Sequence, residues 1–214
     1  MRKKHIVIAI LALLVTLAYG VSCYIDSCEK GIVKTAETYN GLPVKTCHAS
    51  YSVNINKEEE IIGDADYYFL GKVVSCDSVE YKNIIELEQE DGSIMPCGDP
   101  YTNYTIQVYR NIKGELDTEK SIKVQKAGGI SQDKSYYQIY EKDIFWEKGK
   151  YYIIAAYVQN DGSLLVSGAN SSTEFMYNPI TVGYRIKEYQ GYYKNQVNTK
   201  RIRSKISREK IYKK

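Results

Sequence analysis

Tyr104-Thr105-Ile106-Gln107-Val108-Tyr109-Arg110-Asn111-Ile112-Lys113-Gly114 decides the fold class. Tyr104, Ile106, Val108 and Ile112 fall on one face, and Thr105, Gln107, Tyr109 and Asn111 fall on the other. A period of two with one apolar face is a half-buried strand. Downstream, Lys113-Gly114-Glu115 is a turn, and Ile122 and Val124 alternate with Ser121, Lys123 and Gln125. Ala127-Gly128-Gly129 closes that third strand, where paired glycines permit backbone conformations denied to other residues. Lys148-Gly149-Lys150 turns the chain into Tyr151 to Val158, apolar on both faces and therefore a central strand. Asn160-Asp161-Gly162 then makes a hairpin with Leu164-Leu165-Val166. Upstream, Tyr67 to Val74 is a strand by its aromatic and β-branched content, and Asn54 to Ile62 reads as a short helix capped by Asn54. The acidic stretch from Asp77 to Pro100 reads as an inserted hairpin or helix with an exposed face. Several strands without alternating long helices argue an all-β barrel or sandwich.

Four stretches together resemble a known family. They are Asp64-Ala65-Asp66-Tyr67-Tyr68-Phe69-Leu70-Gly71-Lys72-Val73; Ile106 to Gly114; Val124 with Gly128-Gly129; and Phe145 with Gly149 and Tyr151. In this order they are similar to exported bacterial proteins with a TIMP-like (netrin-module-like) OB-fold. The resemblance covers about residues 55–168. It implies a mainly β chain: a five-stranded Greek-key barrel with a short packing helix, followed here by a basic C-terminal tail, helical or disordered. In the animal inhibitors that give the fold its name, an N-terminal cysteine chelates the zinc of a protease. Cys23 is the one candidate here, but no second cysteine lies two residues on, so that activity is not carried over.

The chain begins Met1-Arg2-Lys3-Lys4-His5 and then runs uncharged from Ile6 to Val21. A basic start before an apolar stretch is an export signal, and residues 1–22 are read as a signal peptide or membrane anchor. Three outcomes stay open: cleavage after Ala18-Tyr19-Gly20, lipidation of Cys23 in a loose Gly20-Val21-Ser22-Cys23 lipobox, or an uncleaved anchor. Each places the remainder outside the cytoplasm, membrane-attached or secreted. Residues 24–184 form the barrel domain, long enough for a single core. From Arg185 to Lys214 eleven basic and two acidic residues give +9, against +3 for the whole chain. That asymmetry makes Lys200, Arg201, Arg203, Lys205, Arg208 and Lys210 candidates for contact with an anionic surface such as lipid head groups or wall polymer. A solvated tail is the simpler alternative.

Five cysteines suit an oxidising compartment. Leaving Cys23 aside, Cys28, Cys47, Cys76 and Cys97 allow three pairings, and proximity favours Cys28–Cys47 and Cys76–Cys97. Only His5 and His48 are present, which excludes the common multi-histidine zinc sites. No metal, cofactor, nucleic-acid partner or catalytic residue is nominated. Asp64 and Asp66 could share a face and hold a hard cation, with a helix-to-strand junction as the simpler reading. The chain holds 22 Tyr, 3 Phe and 1 Trp. Tyr136, Tyr137, Tyr140 and Trp146 are candidates for an aromatic platform. The expected function is a non-enzymatic extracytoplasmic binding or interaction module attached to the cell surface, by lipid or anchor, with wall polymer or another exported protein as partner. The alternatives are a histidine-independent cell-wall hydrolase, or an inhibitor or partner of another exported protein.

Overall fold

The computed structural model describes residues 38–204. Strands β1 (Thr38–Tyr39) and β2 (Leu42–Cys47) precede a short helix, α1 (Glu58–Asp64). Two long strands follow, β3 (Tyr67–Glu88) and β4 (Ile94–Lys113), then β5 (Ser121–Ala127), β6 (Gly129–Ile130) and β7 (Tyr137–Tyr140). Next come β8 (Tyr151–Val158), β9 (Leu164–Val166), β10 (Ser172–Glu174) and helix α2 (Val182–Lys194).

The ring β3–β4–β5–β9–β8 closes on itself, because β8 pairs with both β3 and β9. Every pairing in the ring is antiparallel except β5 with β9. This is the expected five-stranded OB-like barrel. Closure removes the open sheet edges that would template aggregation. The seam is short: β9 meets β8 only at Tyr157↔Leu165 and Val158↔Leu164, and β10 fills the rest of that edge opposite Tyr152 to Ile154. A smaller sheet, β1–β2–β7–β6, stands beside the barrel.

Two cores explain the strand patterns. Phe69, Val73, Ile106, Val108, Ile122, Val124, Tyr152 and Ile154 point into the barrel. On the outside, Tyr68, Leu70, Ile153 and Ala155 pack against Ile61 and Ile62 of α1 and Ile186 and Tyr189 of α2. So β8 is apolar on both faces because one faces the barrel and the other the helices. The α2 helix therefore belongs to the folded domain and crosses the boundary drawn at residue 184.

The helix near residue 58 starts later than expected. Asn54 organises the preceding turn: its Oδ1 accepts the Asn56 amide at 3.0 Å and its carbonyl accepts the Lys57 amide. Lys57 takes the N-cap position without a side-chain cap. At the other end, Lys113 Nζ donates to the carbonyls of Ile62 at 2.6 Å and Gly63 at 3.1 Å, a cation on the negative end of the helix.

The acidic stretch 77–100 is a hairpin, not a helix, in which β3 and β4 run on past the barrel as a two-stranded ribbon. Its register overturns the Cys76–Cys97 pairing. Cys76 faces Tyr104 and Cys97 faces Ile85. Cys97 is therefore seven positions from Cys76's opposite number, about 23 Å at the rise of a strand. A disulfide needs its Cα atoms within about 7 Å. Cys47, Cys76 and Cys97 all carry free thiols. Cys23 and Cys28 lie outside the described residues, as does the leader.

Candidate functional site

A cavity of about 420 Å³ opens between residues 49–55, the end of α1, and the loop after β9. Its wall is tied by long-range hydrogen bonds. The Ala169 amide donates to Tyr51 Oη at 3.0 Å, Asn170 Nδ2 donates to the Ile55 carbonyl at 2.6 Å, and Lys142 Nζ donates to Asn56 Oδ1 at 3.0 Å. These bonds hold an irregular segment against the barrel, since neither helix nor strand satisfies its backbone. Tyr51, Tyr140 and Tyr157 supply aromatic wall; Gln159, Ser52 and Ser167 supply polar groups.

One end of the cavity is closed by charge. Arg201 stacks over the Tyr157 ring at 5.0 Å and pairs with Asp66 Oδ1 at 2.7 Å. That contact is an ion pair without hydrogen-bond alignment, for Nη2 has no hydrogen-bond partner. Arg201 Nε donates to the Asp64 carbonyl at 3.2 Å. Arg203 donates to Asp66 Oδ1 at 2.7 Å and to the carbonyls of Gly63, Asp64 and Ala65. Thr199 Oγ1 donates to Asp64 Oδ1 at 2.7 Å. Burial alone would raise the Asp66 pKa. The Arg201 guanidinium beside it, with hydrogen bonds from the Val158 amide and Arg203, outweighs it and holds the carboxyl below its ordinary range. Tyr157 moves the other way: burial and the nearby Asp64 charge push its phenol well up, so it stays protonated and can donate.

These contacts revise the tail. Arg201 and Arg203 are bound to the barrel's own acids and carbonyls, so they do not offer themselves to an anionic surface. Lys200 is exposed. Lys205, Arg208 and Lys210 lie outside the described residues. The same contacts give Asp64 and Asp66 guanidinium partners in place of a cation.

The expected aromatic platform does not form. Trp146 is 2% exposed in the barrel core and donates to Ser172 Oγ at 2.9 Å. Tyr136 lies beneath Lys45 Nζ at 3.6 Å, and Tyr137 packs edge-on against Tyr39 and Phe145. Only Tyr140 reaches the cavity. An open aromatic cluster exists elsewhere. Tyr151 and Tyr177 stack at 4.4 Å, and Tyr109 meets both edge-on. Period two already turns Tyr109 outward, but its partner Tyr177 comes from a loop with no period to read.

The Cys47 and Cys76 thiols are not activated. Burial, and then the negative charge of Asp99, push the Cys47 thiol up, away from the thiolate that a nucleophile needs. His48 Nδ1 pairs with Glu141 at 2.8 Å. Among the described residues no group of three or more potential metal ligands is gathered. No helix there is long and apolar enough to cross a membrane.

No family model matches the chain, and no curated protein matches it.

Proposed function

We propose that this chain is a non-enzymatic binding module of the TIMP-like OB class, working outside the cytoplasm and held at the cell surface by its N-terminal leader. Its ligand seats in the cavity beside Tyr51, Tyr157 and Gln159. The observation that carries this reading is the cavity itself, whose volume of about 420 Å³ falls in the range of small-molecule sites. It joins tyrosine faces to a few polar groups on a rigid wall, the composition that binds and orients a small ligand. The barrel order, with its single parallel pairing of β5 and β9, supports the likeness to the TIMP-like proteins. Cell-surface location rests on the basic, then apolar, start of the sequence.

The test is thermal unfolding of the full chain against a panel of wall-derived glycans and short peptides. A ligand that binds only the folded state stabilises it by about 2.7 kcal/mol at a hundred times its Kd and raises the midpoint accordingly. Ser167→Trp fills the cavity and abolishes that shift. Chemical turnover of any panel member overturns the non-enzymatic reading. A shift that survives Ser167→Trp places the ligand elsewhere, and recovery of the native protein from the cytosol overturns the location.

A further inference from the structure

The barrel interior holds a polar cluster that the binding proposal leaves unused. Lys126 is the last inward-facing side chain of β5, and it is only 2% exposed. Its Nζ contacts Oδ2 of Asp143, itself 1% exposed in the loop after β7. Ser172 Oγ stands between them: it accepts from Lys126 Nζ at 3.2 Å and donates to Asp143 Oδ1 at 2.9 Å. Trp146 Nε1 donates to the same hydroxyl at 2.9 Å, and the Trp146 ring lies 5.1 Å from the ammonium. Asp143 also takes the Ile144 amide at 2.9 Å and the Ser171 hydroxyl at 3.4 Å.

We propose that Lys126 and Asp143 are joined by an intramolecular isopeptide bond, formed by the folded chain itself with Ser172 as proton relay. An amine and a carboxyl are here held in contact and away from water. Desolvation of two facing ions is expensive, and the neutral amine plus neutral acid is the form that reacts. Burial lowers the Lys126 pKa, against the pull of Asp143, and so favours the nucleophilic free amine. In the step, the Nζ lone pair attacks Cγ of Asp143 and a C–N bond forms. One Cγ–O bond breaks. The amine gives a proton to Ser172 Oγ, while the Ser172 hydroxyl gives its own to Oδ1. The departing oxygen leaves as water with two protons, and Ser172 is regenerated. Ammonium plus carboxylate, or amine plus acid, becomes amide plus water, so no oxidant or cofactor is consumed. The product carries no charge in the core and ties the end of β5 to the loop after β7.

The experiment is peptide mass analysis of the full chain, denatured and digested with trypsin. Trypsin does not cut after an acylated lysine. The expected product is one branched peptide, residues 124–134 joined to residues 143–148, lighter than the two linear parts by one water. Cleavage after Lys126, with 143–148 recovered as a separate linear peptide, overturns the proposal. Lys126→Arg keeps a cation at this position and removes the reactive amine. The branched peptide is expected to vanish in that variant, and its persistence would reassign the bond. Ser172→Ala is expected to slow bond formation in freshly synthesised chain by about a hundredfold, the scale of one proton-transfer group. Formation at the parent rate would remove Ser172 from the step.

Discussion

Replacing Gly63 with alanine tests how the C-terminal segment is seated. Gly63 sits inside α1, where alanine is ordinarily better by about 1 kcal/mol. The structure reverses that expectation. A Cβ on Gly63 would lie 1.8 Å from the Val197 carbonyl oxygen, so the 197–203 segment must move away. Lost with it are the Val197 amide to Glu59 carbonyl bond at 3.0 Å, the Thr199–Asp64 bond and the Arg201 and Arg203 contacts. Neutral hydrogen bonds are worth about 1 kcal/mol net and charge-assisted ones about 1.5–3. Ordering seven residues opposes most of that gain, at about 1–2 kcal/mol each. The bonds exceed that ordering cost by only a few kcal/mol; release forfeits this surplus while alanine returns about 1 kcal/mol, and we expect a net loss of about 2–3 kcal/mol, roughly 30- to 150-fold in the unfolding constant. Gly191→Ala is the control: it lies in α2 with nothing within 4 Å of its Cβ, and it should stabilise by up to about 1 kcal/mol. Urea unfolding reads both midpoints, and hydrogen exchange at the Val197 amide reads release of the segment. If Gly63→Ala matches Gly191→Ala and leaves Val197 protected, the segment does not cover α1 as described.

Asp66→Asn should remove part of the acid sensitivity. The Asp66 carboxyl has a folded pKa below its unfolded value, so its stabilisation is fully present above the ordinary carboxylate range and disappears as pH falls through the folded value. Urea midpoints measured downward from pH 6 should fall less steeply in the variant than in the parent; parallel curves would contradict the clasp. Trp146→Ala should cost about 3–5 kcal/mol, as a large buried aromatic. In the parent, quenching of its fluorescence by acrylamide should be weak until the protein unfolds, and strong quenching in the native state would place the ring outside. The double variant Cys76→Ser/Cys97→Ser should unfold within about 0.5 kcal/mol of the parent. A loss near 3 kcal/mol under oxidising conditions would restore a bridge between them.

Period-two alternation made β4 legible because one of its faces is wet and the other dry. The double apolar face of β8 was legible for the opposite reason, since the barrel and helices cover both sides. The turn at Asn160-Asp161-Gly162 is local chemistry and needs no tertiary information. The late start of α1 was hidden because Asn54 makes a side-chain turn that competes with helix capping. Trp146 faces inward from a loop without periodicity, so no pattern marks its direction. The partners of Arg201 and Arg203 lie more than 130 residues away in sequence, where charge counting sees only a basic tail. The cavity escapes for the same reason: its walls come from four distant segments that meet only after folding. The cysteine pairing failed because closeness along the chain is not closeness across a hairpin whose turn lies at Glu90-Asp91-Gly92.

The β3–β4 ribbon outruns the barrel that anchors it. Ile84, Ile85 and Ile94 near its end are 57–64% exposed, so little apolar burial supports the terminal ladder there. Two strands alone are marginal in water. Opening should therefore begin at the tip and travel inward like a zip, halting where Tyr81 donates to the Ser131 carbonyl and the small sheet takes up the load. A protease nick at the tip would loosen the terminal ladder yet leave the ring shut, so the outer ribbon can be freed by a single cut without opening the barrel.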